Sequence, residues 1–230
     1  MLELRNLNGG YDALVVVHDL TLSISPGTVT AILGPNGAGK TTSLRLMMGL
    51  LKPQSGEVWF EGREITKLPS QQRAKLGICY IPEGRAIFPS LTVRDNLIVQ
   101  APAKDADGIE RAVTAFPVLG SRLGQRAGTL SGGEQRMLGL ARAYLQNPRL
   151  ILVDEPSLGL APIIIDKIFD SLRELAATGV SLLIVEQYAQ KAMALADMVY
   201  VMAKGEIRAS GSPAEMGNEL DLLGTYYTGG

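Results

Sequence analysis

One nine-residue run, Gly34-Pro35-Asn36-Gly37-Ala38-Gly39-Lys40-Thr41-Thr42, constrains this chain more than any other. It fits G-x-x-x-x-G-K-[ST], a pattern that works only between a strand and a helix. Both flanks comply: the apolar stretch 30–33 precedes it and a helical stretch, 43–50, follows. The glycines let the backbone curl so that its N–H groups point inward at a phosphate. A helix beginning near Lys40 adds the positive end of its dipole. Lys40 is then expected to reach the β- and γ-phosphates of a bound triphosphate, and the Thr41 hydroxyl to ligate Mg²⁺. Chance alone places the four fixed residues in about 1 in 100 chains of this length. The glycine spacing excludes the G-x-G-x-x-G dinucleotide fingerprint.

Short apolar runs recur at 29–33, 150–153, 181–185 and 199–202. Their length and borders read as buried strands, and helical patterns lie between several of them. That alternation predicts an α/β fold with a parallel sheet covered on both faces. The first third differs. Stretches 2–7, 20–24 and 57–60 alternate more, with turns at Ser25-Pro26-Gly27 and Gln54-Ser55-Gly56, and predict a small antiparallel sheet. Residues 91–145 are mostly helical, with capping boxes expected at Thr92 with Asp95 and at Ser131 with Glu134. No linker or repeat divides the chain, so 1–230 reads as a single domain with a helical part inserted at about 84–148.

A net charge of −1 does not indicate a nucleic-acid partner. The single cysteine, Cys79, reads as a small buried hydrophobe beside Ile78 and fits a reducing compartment. The amino terminus carries an acid at Glu3 and does not read as a signal peptide. No stretch approaches the roughly 20 apolar residues needed to span a bilayer, so membrane contact is expected through a partner.

The run 150–153 ends in Asp154-Glu155-Pro156. A buried strand that delivers two acids to its tip can either end in solvent or serve chemistry. Beside a phosphate loop, Asp154 is expected to hold Mg²⁺ through water and Glu155 to polarise an attacking water as general base. Further upstream, Leu130-Ser131-Gly132-Gly133-Glu134-Gln135 precedes a helix running to about Gln146. Ser131 and Glu134 suffice for a cap, but a cap does not need two glycines. A Ser-Gly-Gly turn on a helix N-terminus is a second anion cradle. Two phosphate cradles on one chain suggest a dimer in which they face each other.

With these motifs in this order and spacing, the whole chain resembles the ATPase subunits of ABC transporters, which have the P-loop NTPase (RecA-like) fold. The resemblance implies two ATP molecules sandwiched between two subunits. Each ATP would touch the loop Gly34, Pro35, Asn36, Gly37, Ala38, Gly39, Lys40, Thr41 and Thr42 of one subunit and Ser131, Gly132, Gly133 and Glu134 of the other. It places Ser157-Leu158-Gly159-Leu160 across the interface and assigns adenine stacking to Tyr11, for which a plain turn tyrosine is the competing reading. The segment from Ile87 through Phe88 to Leu91 either docks on membrane subunits or is buried within the helical part.

The chain departs from most relatives at two positions. Glu83 stands where a glutamine is usual; it can still ligate Mg²⁺ but, ionised, donates no hydrogen bond. Gln187 stands where a switch histidine is usual; it can contact the γ-phosphate but cannot carry a proton. The one histidine, His18, is expected at a strand start. Pro82–Pro89 together with Val185-Glu186-Gln187 resembles the branched-chain amino-acid importer group, and within it the LivF-type subunit. This implies a homodimer or a heterodimer with a LivG-type ATPase, integral membrane permease subunits, and a peripheral place on the cytoplasmic face of the inner membrane. The segment 222–227 ends where that subunit type ends. Similar motors serve urea and short amides. The alternatives are a nucleotide-binding regulatory subunit whose partner does most of the hydrolysis, and a non-transport ATPase of repair or translation. Only 90 residues separate Lys40 from Leu130, too few for the long coiled coil of repair types.

Overall fold

The computed structural model describes residues 1–12, 14–84, 86–101 and 107–216. Strands β1 (Leu2–Tyr11), β2 (Leu14–Ile24), β4 (Pro53–Phe60) and β5 (Arg63–Glu64) form an antiparallel sheet in the order β2-β1-β4-β5. The other sheet has the order β10-β9-β3-β8-β7-β6. It comprises β3 (Val29–Leu33), β6 (Ile78–Ile81), β7 (Leu150–Asp154), β8 (Ser181–Glu186), β9 (Met198–Ala203) and β10 (Glu206–Gly211). All its pairings are parallel except β9 with β10.

The strands of the antiparallel sheet run longer than their sequence patterns. In β1 the buried positions are Leu2 and Leu4, then Leu7 and Gly9, so the two-residue period slips once. The register with β2 shifts between Leu4 and Leu7, and Asn6 adopts φ +47°. A bulge absorbs the slip and the ladder continues. His18 therefore lies exposed inside β2 rather than at a strand start, a correction to the sequence expectation.

Every residue of β3, β6, β7 and β8 is buried, because helices and the antiparallel sheet cover both faces. Alternation survives as a division between two cores. Ile78, Tyr80, Leu150, Leu152, Leu183 and Val185 face the antiparallel sheet and α1 (Lys40–Met48). Cys79, Ile81, Ile151, Val153, Leu182 and Ile184 face the helical part. Burial of Cys79 pushes its thiol up to about 12, an inert small hydrophobe. β6 is not legible as a strand in the sequence because four residues are too few to show a period.

Helix α2 (Ser70–Lys75) precedes β6. The helical part holds α3 (Val93–Gln100), α4 (Gly108–Ala115), α5 (Pro117–Gly120) and α6 (Gly132–Gln146). Capping boxes open α3 at Thr92 and α6 at Ser131, both with the expected partners. Helices α7 (Pro162–Ala177) and α8 (Ala189–Met193) flank β8. Helix α1 starts at Lys40 but ends at Met48, because Gly49 at φ +72° caps it. The segment 222–227 lies outside the described residues.

Parallel pairing sets the carboxyl ends of β3, β8 and β7 abreast: Leu33 pairs with Glu186, and Val185 with Asp154. Open parallel sheets bind ligands along that edge.

Candidate nucleotide site

The phosphate loop leaves β3 at Gly34, where an added Cβ would lie 2.2 Å from the Met202 carbonyl oxygen, so only glycine fits. The loop closes at Gly39, at φ +104°, directly before α1. That helix has no side-chain N-cap and no acid in its first turn, so its leading amides stay available to an anion. Ala38 points into the core, and its amide donates to the Pro35 carbonyl at 3.2 Å.

A cleft of about 290 Å³ opens over this loop. Asn36, Gly37, Gly39, Lys40, Thr41 and Thr42 form its floor, and Glu83, Glu155, Val16 and Leu158 form its walls. Lys40 Nζ donates to the carbonyls of Gly34 at 2.8 Å and Pro35 at 3.1 Å. It also lies 3.1 Å from Glu155 Oε1. The Thr41 hydroxyl donates to Asp154 Oδ1 at 3.0 Å, and the buried Tyr80 hydroxyl donates to Asp154 Oδ2 at 2.9 Å. Burial raises the Asp154 carboxyl above its ordinary range, against bonds from Tyr80, Thr41 and the Glu83 backbone. Burial also drives the Tyr80 hydroxyl upward, so it stays a proton donor to that carboxylate.

Glu155 sits at φ +41°, and its amide donates to the Val185 carbonyl at 3.0 Å. A non-glycine residue held in the left-handed region stores about 1–3 kcal/mol of strain, a mark of functional turns. One residue past β8's Val185, Glu186 is 1% exposed. Its carboxylate accepts from the amides of Ser157 at 2.9 Å and Gln187 at 3.1 Å, tying the 157–160 turn to the end of β8.

The structure thus gathers Lys40, Thr41, Glu83 and Glu155 around one cleft, with Asp154 fully buried behind it and bonded to Thr41. Tyr11 and Gln187 are not among the residues lining it. The Tyr11 hydroxyl accepts from Arg45 at 2.7 Å, and Gln187 is exposed beyond β8. Ser131, Gly132, Gly133 and Glu134 line no part of that cleft either; they open α6. Ser131 and Gly132 are exposed, whereas Gly133 is buried against Ile164. Phe88 is 48% exposed while Ile87 packs partly into the helical core, so burial accounts for Ile87 and not for Phe88. Sequence reasoning missed Val16, Tyr80, Glu186 and Arg136. Arg136 follows Glu134 and Gln135 in α6, so nothing in its local sequence marks it as buried.

The sequence signature described as ABC transporter matches residues 17–158. The chain belongs to the ABC transporter family. It is an ATP-binding subunit of that family and an ATPase. It is 41% identical over 211 residues to BraG, the high-affinity branched-chain amino acid transport ATP-binding protein of Pseudomonas aeruginosa, covering 90% of this chain and 91% of the relative. It is 38% identical to LivF of Archaeoglobus fulgidus, described as a probable branched-chain amino acid transport ATP-binding protein, over 94% of each chain. LptB of Acidithiobacillus ferridurans, the ATP-binding protein of a lipopolysaccharide export system, shares 33% over 94% of this chain and 92% of its own. The crystal structure of a nucleotide-free ATP-binding cassette from an ABC transporter superposes with a TM-score of 0.86 at 28% identity, covering 100% of this chain and 99% of the other.

As a metal site for this ABC subunit, the cleft offers oxygen alone: the Thr41 hydroxyl and the Glu83 carboxylate line it, and the buried Asp154 carboxylate lies directly behind Thr41. Among the described residues no cluster of three or more His, Cys, Asp or Glu is placed to hold a metal by itself. That donor set fits Mg²⁺, which is held by one or two carboxylates together with substrate phosphates.

Proposed function

We propose that this ATPase drives an importer of branched-chain or other hydrophobic amino acids, hydrolysing Mg²⁺-bound ATP between two cassettes. The observation that carries the hydrolytic reading is the convergence of Lys40, Thr41 and Glu155 on one cleft, with Lys40 paired to Glu155 and Thr41 bonded to the buried Asp154. The α1 amides and Lys40 cradle the β- and γ-phosphates. Mg²⁺, when bound, neutralises charge on those phosphates; Thr41, Asp154 and Glu83 are the residues that hold it. Glu155 orients the attacking water. Ser131 and Gly132 reach the γ-phosphate of a second subunit, and Leu158 lies on the same interface. Tyr11 stacks on adenine, and Gln187 contacts the γ-phosphate from the end of β8.

Import of amino acids is favoured over lipopolysaccharide export by the higher identity to BraG and LivF than to LptB. Among the described residues no helix is long and apolar enough to cross a membrane. In this reading permease partners hold the subunit on the cytoplasmic membrane face. A LivG-type ATPase or a second copy completes the pair.

The experiment is affinity capture of the full chain from membranes of its own host, followed by uptake of labelled leucine with parent or Glu155→Gln. Leucine uptake that depends on Glu155 supports the reading. Unchanged uptake, or capture of lipopolysaccharide-handling membrane proteins, overturns the amino-acid assignment.

A further inference from the structure

Arg136 stands in the second turn of α6, five residues after the cap Ser131, and is 5% exposed. Its guanidinium spends three bonds on backbone carbonyls that belong to the site. Nη1 donates to Pro82 at 2.8 Å and to Gly84 at 2.5 Å, the residues on either side of Glu83. Nη2 donates at 2.6 Å to the Asp154 carbonyl, which is the oxygen of the peptide joining Asp154 to Glu155. One planar cation therefore pins both the loop that carries Glu83 and the peptide plane that sets the left-handed turn at Glu155.

The surroundings are acidic as well. Asp154, Glu186, Glu83 and Glu155 all act electrostatically on Arg136, opposing the burial that disfavours its charge. Nε is buried without a partner. A guanidinium placed for the helical core alone would not be aimed at three carbonyls of the sheet edge while leaving a donor unpaired, since a buried unpaired donor carries its full desolvation cost. A rigid helix thus connects the Ser131-Gly132 turn to the metal-side residues through one side chain, and a planar fork transmits orientation better than an ammonium.

We propose that Arg136 is a positioning residue for hydrolysis: it transmits the orientation of α6 to Glu83 and to the Asp154–Glu155 peptide, and so sets how well Mg²⁺ is held and water aligned. This rests on the reading of Asp154 and Glu83 as metal-holding residues, and the test separates the two.

Binding of a fluorescent ATP analogue to the full chain is titrated with and without Mg²⁺, alongside the ATPase rate and the melting temperature, for parent, Arg136→Lys, Arg136→Gln and Asp154→Asn. For Arg136→Gln the turnover should fall at least about tenfold, as misplacement of about 1 Å does. The Mg²⁺ half-saturation of analogue binding should rise several-fold, while binding without Mg²⁺ stays within about twofold of parent, because α1 and Lys40 are untouched. Arg136→Lys should recover part of both losses. If Arg136→Gln does not fold, Arg136→Lys is read by itself, with a smaller shift of the same sign expected. Mg²⁺ half-saturation unmoved by the Arg136 variants but raised by Asp154→Asn overturns the role of Arg136 alone. Binding lost equally with and without Mg²⁺ assigns Arg136 to the fold and also overturns it. Half-saturation unmoved even by Asp154→Asn removes the metal reading, and the inference falls with it.

Discussion

Lys40 and Glu155 form a buried ion pair, with Nζ 3.1 Å from Oε1 and the two side chains 3% and 10% exposed. The partners come from turns after β3 and β7, which are separated by β8 in the sheet. The cation proposed to bind phosphate therefore holds the carboxylate proposed to act as base. In that reading a γ-phosphate arriving at Lys40 would compete with Glu155 for it, and nucleotide binding would release the carboxylate.

Glu155→Gln follows directly. Turnover should drop by about 10²–10⁴-fold, the range for a lost general base. Binding of a fluorescent ATP analogue should hold or tighten, since the amide competes less for Lys40. Parent-level turnover in this variant removes the assigned base.

Lys40→Ala should weaken nucleotide binding by about tenfold or more, the size of a lost charge-assisted contact. It also strands the Glu155 carboxylate, at a cost of about 3 kcal/mol. The nucleotide-free melting temperature should fall by several degrees, and Lys40→Ala with Glu155→Gln should recover much of it. A melting temperature equal in Lys40→Ala and the parent would show that the pair contributes no net stability.

Glu186 gives a pH dependence. Burial holds its carboxyl above the ordinary glutamate value of 4.5, although Ser157, Tyr188 and Gln187 donate to it. The folded chain takes up this proton at higher pH than the unfolded chain does. The charged group is thus a liability at neutral pH that disappears as pH falls through the folded pKa. Glu186→Gln, measured as its melting temperature minus the parent's, should look most favourable at pH 8 and lose ground towards pH 4.5. A difference that grows in the opposite direction contradicts the sign.

The two signature glycines should part company. A Cβ on Gly133 would come within 2.8 Å of Ile164 Cγ2, whereas one on Gly132 meets nothing within 4 Å among the described residues. Gly133→Ala should cost about 1–3 kcal/mol of stability through overpacking. Gly132→Ala should melt at or above the parent temperature, because alanine favours the helix, yet lose most ATPase activity by placing a methyl in a partner's phosphate contact. Full activity in folded Gly132→Ala excludes that contact.

The sequence by itself determined that Lys40, Thr41, Asp154 and Glu155 mark one site, and it determined the two capping boxes and the parallel sheet, since each is written in local spacing: loop before helix, acids after a buried run, cap three residues from its partner. The continuation of β1 past its bulge and the short β6 escaped it, because the one period breaks and the other is too brief to read. Arg136, Tyr80, Glu186 and Val16 needed the tertiary structure. Their partners lie at Pro82, Asp154, Ser157 and the cleft over Gly39, between 18 and 74 residues away for the bonds Arg136 and Tyr80 make to Asp154 and Pro82. Only the alignment of parallel strand ends brings such groups to one edge, and no local pattern encodes which buried side chain will meet which carbonyl there.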